Sequence, residues 1–343
     1  MIADDSGLMR GLLASALGRS GIAVVGVAGN GDEAIECCER LAPDVLSLDL
    51  AMPGRNGVGV LRELRARNLH IPVVVVSAFA PQSGARAVDA LAEGAFDLVA
   101  KPRSREELDP FVSDLTERVL LAHAEGGRHH VSPALAGAGY TSQRSTPGAH
   151  RVVLIACSTG GPRALAQLLP KLPPTIGDGT LIVQHMPPGF TVPLAARLNR
   201  VSGLKVSEAT AGDRVDPSRA LLAPGGRHMR VHSSGRISLS EEPAIGGLRP
   251  CADVTIADAV EVWGERLLLV VLTGMGTDGL LGAVAVREAG GRILVEAESS
   301  CVVHGMPRAV AAAGLADAEL DLSALPEAIL AEAGAMHTDL VAI

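Results

Sequence analysis

Short apolar runs rich in β-branched residues alternate with helix-like segments along most of this chain of 343 residues. Val45 to Leu48 and Val73 to Val76 are two such runs, and a helix-like segment from Val58 to Asn68 lies between them. Alternation of this kind is typical of βα units, in which helices cover a parallel sheet. We therefore expect an α/β fold, in a chain long enough for two domains.

One segment interrupts the alternation and divides the chain. Residues 125–149 are rich in Gly, Ser, Ala and His and show little periodicity, as a linker does. We predict a first domain over residues 1–122, a linker over 123–149, and a second domain over 150–343. The second domain should be a larger α/β unit with a doubly wound, mostly parallel sheet.

The composition narrows the classes of partner. The net charge is −8 and only 2% of the residues are aromatic, whereas nucleic-acid binding requires basic patches and stacking rings. No apolar run approaches the roughly 20 residues that span a bilayer. The five cysteines show neither disulfide nor zinc spacing. We expect a cytoplasmic protein that neither binds nucleic acid nor inserts into a membrane.

Five polar residues follow successive strand-like runs of the first domain: Asp4, Asp5, Asp49, Ser77 and Lys101. Because a parallel sheet gathers the carboxyl ends of its strands at one edge, we expect these residues to share a site. Clustered carboxylates bind Mg²⁺, and a neighbouring cation neutralises phosphoryl oxygens while a carboxylate attacks. Any one of these acids alone would be a solvated loop residue, but the set favours phosphoryl transfer to Asp49.

These residues stand in segments that resemble the receiver domain of two-component response regulators: DDS, LDLAMPGRNG, VSA and GAFDLVAKP. The resemblance covers residues 1 to about 122 and implies a flavodoxin-like sheet. It implies that a histidine kinase phosphorylates Asp49. It also implies that Mg²⁺ lies among Asp4, Asp5, Asp49 and the carbonyl of Ala51.

Two positions depart from the receiver pattern. Only three residues precede Asp4, where a strand of about five or six residues is usual, so we expect a truncated central strand and a true start further upstream. Leu98 stands where many receivers carry a switching aromatic. The receiver switch would then consist of Ser77 and Lys101, with activation through Ser77 alone.

In the second domain, Ser158, His185 and Asp278 each follow an apolar run that is typical of a parallel strand. A serine hydroxyl attacks only when a base takes its proton, and the resulting oxyanion needs preorganised donors. A histidine oriented by an aspartate supplies the base, and backbone amides of the turn from Ser158 to Gly161 could help bind the oxyanion. Each residue alone has a plainer explanation, but together they indicate a serine hydrolase.

A competing motif surrounds Asp278. The loop spells GxGxxG after a strand and before a helix, with glycines at Gly274, Gly276 and Gly279. Glu296 or Glu298 follows about 20 residues later, as in the dinucleotide fingerprint. A carboxylate inside the loop would repel a pyrophosphate, so the glycines more readily let Asp278 approach His185. The alternatives are a nucleotide-dependent oxidoreductase and a receiver-bearing adaptor without enzymatic activity.

Five segments of the second domain resemble the chemotaxis protein-glutamate methylesterases of the CheB family, across roughly residues 150–337: ACSTGGP, VQHMPPGFT, LLAPGGRHM, LTGMGTDG and SSCVVHGMP. The order of receiver, linker and esterase matches as well. The resemblance implies hydrolysis of glutamyl methyl esters on chemoreceptors, with release of methanol, and deamidation of receptor glutamines. It also implies regulation by phosphorylation and a hydrolytic step without a cofactor.

The same resemblance implies a role for each residue of the second site. Ser158 would be the nucleophile, His185 the general base and then acid, and Asp278 the residue that orients His185. Thr159 would lie beside the nucleophile, and Met275 would give its backbone amide to the oxyanion hole.

Two residues depart from the esterase pattern. Cys157 precedes the nucleophile where a small residue is usual, and we expect an inert thiol in a buried strand. His304 stands where an aromatic is usual, and we assign it no role.

Overall fold

The computed structural model of the chain describes residues 1–78, 81–126 and 150–334. These residues form two compact α/β units, one on each side of the gap at 127–149. Most of the predicted linker therefore lies outside the described residues. Its first four residues, 123–126, are the last turn of a helix.

The N-terminal unit is a parallel sheet of five strands: β1 (Ile2–Ala3), β2 (Val27–Ala28), β3 (Leu46–Asp49), β4 (Val73–Ser77) and β5 (Asp97–Ala100). Its helices are α1 (Gly7–Arg19), α2 (Gly31–Leu41), α3 (Gly57–Ala66), α4 (Pro81–Ala92) and α5 (Leu108–Gly126). The strand order is β2-β1-β3-β4-β5, and every neighbouring pair is parallel. This order is flavodoxin-like, which confirms the predicted fold of this unit.

Local sequence explains where the first three helices begin. The side chains of Ser6, Asn30 and Asn56 accept hydrogen bonds from the backbone amides three residues later. Such N-caps satisfy amides that have no partner inside the helix. Each helix therefore starts shortly after the carboxyl end of a strand, and the loops at that edge of the sheet are short.

The first strand is short but lies between two others. Ile2 and Ala3 pair with β2 on one side and with β3 on the other, so Asp4 still follows a strand inside the sheet. The apolar run from Ala23 to Val27 contributes only its last residue to β2. The reason is that this run lies at the edge of the sheet, beside a strand with only two residues to pair with.

The C-terminal unit contains nine strands within the described residues: β6 (Val152–Cys157), β7 (Gly179–Gln184), β8 (Lys205–Glu208), β9 (Arg219–Leu222), β10 (His228–Val231), β11 (Ile237–Ser240), β12 (Leu267–Val271), β13 (Arg292–Glu296) and β14 (Ala318–Leu320). Its α-helices there are α6 (Gly161–Leu168), α7 (Thr191–Val201), α8 (Ala252–Trp263), α9 (Leu280–Glu288), α10 (Met306–Ala312) and α11 (Leu325–Ala333). β10 and β11 form an antiparallel pair. The other seven strands form one parallel sheet in the order β14-β13-β12-β6-β7-β9-β8.

The order of this sheet explains where a site can form. The chain extends from β6 to β7 on one side and later returns to place β12 on the other side. Strand order therefore reverses at β6, and a crevice opens at such a switch point outside the carboxyl ends of the strands. β6, β7 and β12 are buried along their whole length, as strands covered on both faces are. The predicted doubly wound sheet is confirmed.

The structure bears on two predictions from composition, one about cysteines and one about membrane-spanning helices. All five cysteines lie within the described residues, and each is a free thiol. Among the helices that the structure describes, none is both long enough and apolar enough to cross a membrane.

Gly31 is the position at which α2 packs against the loop that follows Asp49. A Cβ atom there would overlap the backbone oxygen of Arg55. We expect Gly31→Ala to lower the free energy of unfolding by about 1–3 kcal/mol, because backbone must move. Gly11→Ala is the matched control in α1, where an added Cβ meets no atom within 4 Å, and it should raise stability by about 0.5–1 kcal/mol. Urea unfolding of the full chain tests both changes, and effects of the same sign would contradict this packing.

Candidate functional site

The three predicted acids of the N-terminal unit converge at the carboxyl edge of its sheet. One carboxylate oxygen from each of Asp4, Asp5 and Asp49 lies within 4.8 Å of the others. Asp4 and Asp49 are buried, whereas Asp5 is exposed. Hard oxygen ligands that are partly open to solvent suit Mg²⁺, which keeps several of its waters. This donor set therefore fits the predicted cation.

Lys101 lies between two of these acids. Its Nζ atom is 2.7 Å from Asp4 Oδ2 and 2.7 Å from Asp49 Oδ2. Burial lowers the pKa of Lys101, but the hydrogen bonds and negative charges of the two aspartates outweigh burial and raise the pKa overall. Lys101 is therefore a fixed cation at this edge of the sheet.

Ser77 and Asp49 end neighbouring parallel strands. The Ser77 hydroxyl is buried and has no hydrogen-bond partner in the described part of the chain. A buried hydroxyl without a partner is unfavourable, so a ligand oxygen would be its natural partner. Asp49 Oδ1 accepts a hydrogen bond of 3.1 Å from the amide of Ala51, which holds the carboxylate in place.

Arg10 belongs to this site although the motifs did not indicate it. Its guanidinium donates to the carbonyl of Asp4 at 2.6 Å and to that of Asp5 at 3.1 Å. It thus fixes the backbone of the acidic pair from the facing turn of α1. Leu98, in the position of the usual aromatic, is only 3% exposed and is part of the core of the sheet.

In the C-terminal unit, Ser158 follows β6, His185 follows β7, and Asp278 lies in the loop after β12. All three side chains are largely buried. His185 Nε2 lies 2.6 Å from Asp278 Oδ2. No hydrogen bond joins Ser158 to His185 here, and His185 Nδ1 is buried without a partner among the described residues. The structure thus joins the imidazole of His185 directly to the carboxylate of Asp278 and leaves the second ring nitrogen unbonded.

Asp278 also receives hydrogen bonds from the ends of two helices. The donors are the amides of Ala252 at 2.6 Å, Asp253 at 3.0 Å and Gly279 at 3.0 Å, and the thiol of Cys251 at 3.1 Å. The N-cap residue of α8, Cys251, makes no side-chain cap of its own. Asp278 takes over that task, because a carboxylate satisfies the free amides and interacts favourably with the helix dipole.

These contacts determine the charge of Asp278. Burial raises its pKa, but the hydrogen bond and charge of His185, together with the amides of Ala252 and Asp253, outweigh burial and hold the pKa well below the usual range. Asp278 is therefore ionised at neutral pH. An ionised carboxylate beside Nε2 favours the tautomer that carries its proton on Nε2. Nδ1 then has a free lone pair and can accept a proton.

Gln184 holds the serine and the histidine together, and motif reading missed it. Its side-chain amide donates to the carbonyl of Ser158 at 2.9 Å and to that of His185 at 2.9 Å. Its oxygen accepts from the Cys157 thiol at 3.1 Å. Burial raises the pKa of Cys157, which is fully buried. The available signal was a polar residue at the end of an otherwise apolar strand.

The segment from Thr273 to Met275 packs directly against Ser158. The Ser158 amide donates to the Thr273 carbonyl at 3.0 Å, and a Cβ on Gly274 would lie 2.8 Å from the Cβ of Ser158. Only glycine fits at that contact. The Thr273 hydroxyl donates to the carbonyl of Thr159 at 2.9 Å, which fixes the other neighbour of the serine.

In the turn from Ser158 to Gly161, the amides of the first and last residues already donate hydrogen bonds. The Ser158 amide is bonded to Thr273, and the Gly161 amide donates to the Ser158 carbonyl at 2.8 Å. These two amides are therefore not available to an oxyanion, because one is bonded to the segment after β12 and the other to a carbonyl inside the turn. The Met275 amide donates no hydrogen bond within the described residues, as expected of an oxyanion donor. His304 pairs with Gly274 through an isolated parallel β-bridge, and its Nε2 atom lies 3.5 Å from Glu319 Oε1.

The loop around Asp278 does not provide a dinucleotide site. Glu296 is fully buried, and its oxygens accept from the Thr273 amide at 2.8 Å and the Ser300 hydroxyl at 3.0 Å. It cannot reach a ribose. The Gly279 amide, at the start of α9, is bonded to the carboxylate of Asp278, where a pyrophosphate would have to lie.

Fold and sites together define a class: a flavodoxin-like unit with an acidic site, followed in the chain by a doubly wound α/β unit that carries Ser158, His185 and Asp278 at its strand ends. The family model for the CheB methylesterase matches residues 153–329, and that for the response regulator receiver domain matches residues 1–112. The chain belongs to the CheB methylesterase family.

Individual relatives extend this similarity over nearly the whole chain. A protein-glutamate methylesterase/protein-glutamine glutaminase of Symbiobacterium thermophilum is 43% identical, over 97% of this chain and 96% of that protein. A protein of the same name from Myxococcus xanthus, numbered 5, is 41% identical over 92% of each. The crystal structure of the Thermotoga maritima CheB methylesterase catalytic domain is 40% identical, with a TM-score of 0.51, and the match covers 53% of this chain and 97% of that one.

Glu296 should make stability depend on pH. Burial raises its pKa from 4.5 to about 7, against the smaller effects of its hydrogen bonds. The folded protein therefore keeps a proton that the unfolded chain releases, and this stabilisation is present at low pH and lost as pH rises through 7. We expect the free energy of unfolding to fall by up to about 3 kcal/mol more in the wild type than in Glu296→Gln between about pH 5 and about pH 8.

Urea unfolding of the full chain at the two pH values measures this difference. Glu298→Gln, an exposed neighbour, is the control and should behave as the wild type does. An equal pH dependence in the wild type and Glu296→Gln would contradict the assignment.

Proposed function

We propose that this protein hydrolyses glutamyl methyl esters of chemoreceptors, deamidates receptor glutamines, and is activated by phosphorylation of Asp49. The observation that carries the proposal is the contact of 2.6 Å between His185 Nε2 and Asp278 Oδ2, at the strand ends beside Ser158. The substrate follows from the relatives, which are named protein-glutamate methylesterase/protein-glutamine glutaminase. Chemoreceptors and a histidine kinase are the partners, and the cytoplasm is the compartment.

The first half of the reaction forms an acyl-enzyme. Ser158 Oγ bonds to the glutamyl carbonyl carbon, its proton moves to His185 Nδ1, and an electron pair of the carbonyl moves onto the oxygen. The Met275 amide donates to that oxyanion, whose charge is fully developed only at this stage. Ser158 and His185 meet when substrate is bound, since catalytic hydrogen bonds are commonly long before substrate binds.

The first half ends when this tetrahedral adduct collapses to the acyl-enzyme. The bond from the carbonyl carbon to the leaving group breaks, His185 gives its proton to that group, and the group departs as methanol from an ester or as ammonia from a glutamine amide. Water then attacks the acyl-enzyme, gives its proton to His185, and frees the glutamate side chain as Ser158 recovers its proton. Ester and amide share this intermediate, so one site serves both reactions.

Asp278 supports every proton transfer without moving a proton itself. Its charge stabilises the imidazolium that His185 becomes, and its hydrogen bond keeps the ring from turning. The donors from α8 and α9 keep Asp278 ionised and in place. Gln184 supports the backbone of Ser158 and His185.

The N-terminal site is suited to phosphoryl transfer from a kinase histidine to Asp49. An oxygen of Asp49 attacks the phosphorus as the bond to the imidazole nitrogen breaks. Mg²⁺ held by Asp4, Asp5 and Asp49 would neutralise the phosphoryl oxygens. Lys101 exchanges its contact with Asp49 for one with the phosphoryl group, and Ser77 donates its unpaired hydroxyl.

The nucleophile is tested by replacing two adjacent residues. We expect Ser158→Ala to lower methanol release from methylated receptor by at least about 10³-fold, because the variant lacks the hydroxyl that forms the acyl-enzyme. Cys157→Ala is the matched control and should keep most of the activity, since the thiol is fully buried. Circular dichroism confirms that both variants are folded. Loss in Cys157→Ala with retention in Ser158→Ala would reverse the assignment.

The regulatory role of Asp49 is tested with a small phosphodonor and Mg²⁺. We expect the donor to raise methanol release by the wild type and to have no effect on Asp49→Asn, which cannot be phosphorylated. Asp44→Asn replaces a neighbouring aspartate whose side chain is 83% exposed, and it should respond as the wild type does. A full response in Asp49→Asn would show that the phosphate acts elsewhere.

A further inference from the structure

Asp253 forms a reciprocal pair with Asp278 that the hydrolytic mechanism does not use. Asp278 caps α8 through the amides of Ala252 and Asp253. In turn Asp253, in the first turn of α8, accepts a hydrogen bond of 2.7 Å from the amide of Gly282 in the first turn of α9. Asp278 and Gly279 precede α9 in the chain. Each helix thus receives a cap from the acid that belongs to the other.

This arrangement ties the position of Asp278 to that of Asp253. α9 begins at a glycine, which has no side chain to cap it. The two carboxyl groups accept from the amides of Gly279 and Gly282 at this helix start, whereas the Leu280 amide donates to the Thr277 carbonyl. A shift of Asp253 would move α8 relative to α9, and the Asp278 carboxylate spans both. His185 is hydrogen-bonded to that carboxylate at 2.6 Å and would move with it.

The pair also has an electrostatic consequence. Burial raises the pKa of Asp253 to about 6, the amides of Gly282 and Gly279 oppose this, and the charge and hydrogen bond of Asp278 reinforce it. The other polar groups at the pair are His185, bonded to Asp278, and the Cys251 thiol, which also donates to Asp278. Beyond them, the His228 ring accepts from the Cys251 amide at 3.3 Å.

We propose that Asp253 is a positioning residue for the hydrolytic reaction, acting through the Asp278 carboxylate on the ring of His185. This inference rests on the proposed function. When Asp253 is protonated, it shares a hydrogen bond with Asp278 and weakens the negative charge that His185 meets. When Asp253 ionises, a second negative charge lies beside Asp278 and stabilises the imidazolium that His185 becomes during the reaction.

Asp253→Asn is the informative variant. Its amide oxygen can still accept from Gly282 and its amide group can donate to Asp278, so it imitates the protonated acid at every pH. Near pH 5, where the wild type carries the protonated acid as well, the variant should approach wild-type kcat/KM for methanol release. Between about pH 5 and about pH 8 the ratio of variant to wild type should fall by about threefold to tenfold.

Two further variants separate positioning from general stability. Asp258→Asn makes the same chemical change in the same helix, where Asp258 is paired with Arg230 at 2.7 Å. It removes an ion pair, and its activity ratio should be the same at every pH. Asp253→Ala loses the bond to Gly282 as well and should be slower than Asp253→Asn at every pH.

NMR titration of the His185 ring gives a readout that does not need activity. In the wild type the chemical shift of the His185 ring should change as Asp253 titrates, and in Asp253→Asn that change should vanish. A pH dependence of the His185 signal that is the same in the wild type and in Asp253→Asn, or an activity ratio that does not change with pH in Asp253→Asn, would overturn the proposal. Absence of methanol release by the wild type would instead refute the proposed function and leave the NMR test in force.

Discussion

The Asp278 carboxylate is the point on which the fold and the chemistry of the C-terminal unit both depend. It accepts from the base of the site, from the first amides of α8 and from the amide at the start of α9. A buried charge is costly unless its hydrogen-bonding capacity is satisfied. Here the donors that satisfy the Asp278 carboxylate are His185 and the amides at the starts of α8 and α9, so the same bonds hold the ring and the two helices in place. Helix capping and histidine orientation are therefore one interaction.

In the N-terminal unit, a cation compensates the buried negative charge. Its parallel sheet brings Asp4 and Asp49 to one edge, and Lys101 lies 2.7 Å from each. Without the ammonium group of Lys101, the negative charges of Asp4 and Asp49 would repel each other. Each unit thus places its site at the carboxyl ends of its own parallel strands, where short loops bring polar side chains together. The groups that compensate the buried negative charge differ: backbone amides do so in the C-terminal unit, and the ammonium group of Lys101 does so in the N-terminal unit.

Much of this could be predicted from sequence, because apolar strands that end on polar residues are visible without a structure. Asp49, Ser158 and His185 were predicted in this way and lie at strand ends in the structure, and the strand alternation correctly predicted both sheets. Contacts between distant segments left no such signal. The bonds of Arg10 to the acidic pair and of Gln184 to the two carbonyls depend on packing between separate strands and helices. The same holds for two amides of the turn that was expected to help bind the oxyanion: those of Ser158 and Gly161 already donate to the carbonyls of Thr273 and Ser158.

We infer that Asp278 fixes the tautomer of His185 and leaves Nδ1 as the base. The ¹⁵N NMR spectrum of the His185 ring, in the full-length protein at neutral pH and assigned with His185→Gln, shows which nitrogen carries the proton. We expect a proton on Nε2, shifted far downfield by its hydrogen bond to the carboxylate, and a nitrogen with a free lone pair at Nδ1. A proton on Nδ1, or rapid exchange between the two tautomers, would contradict it.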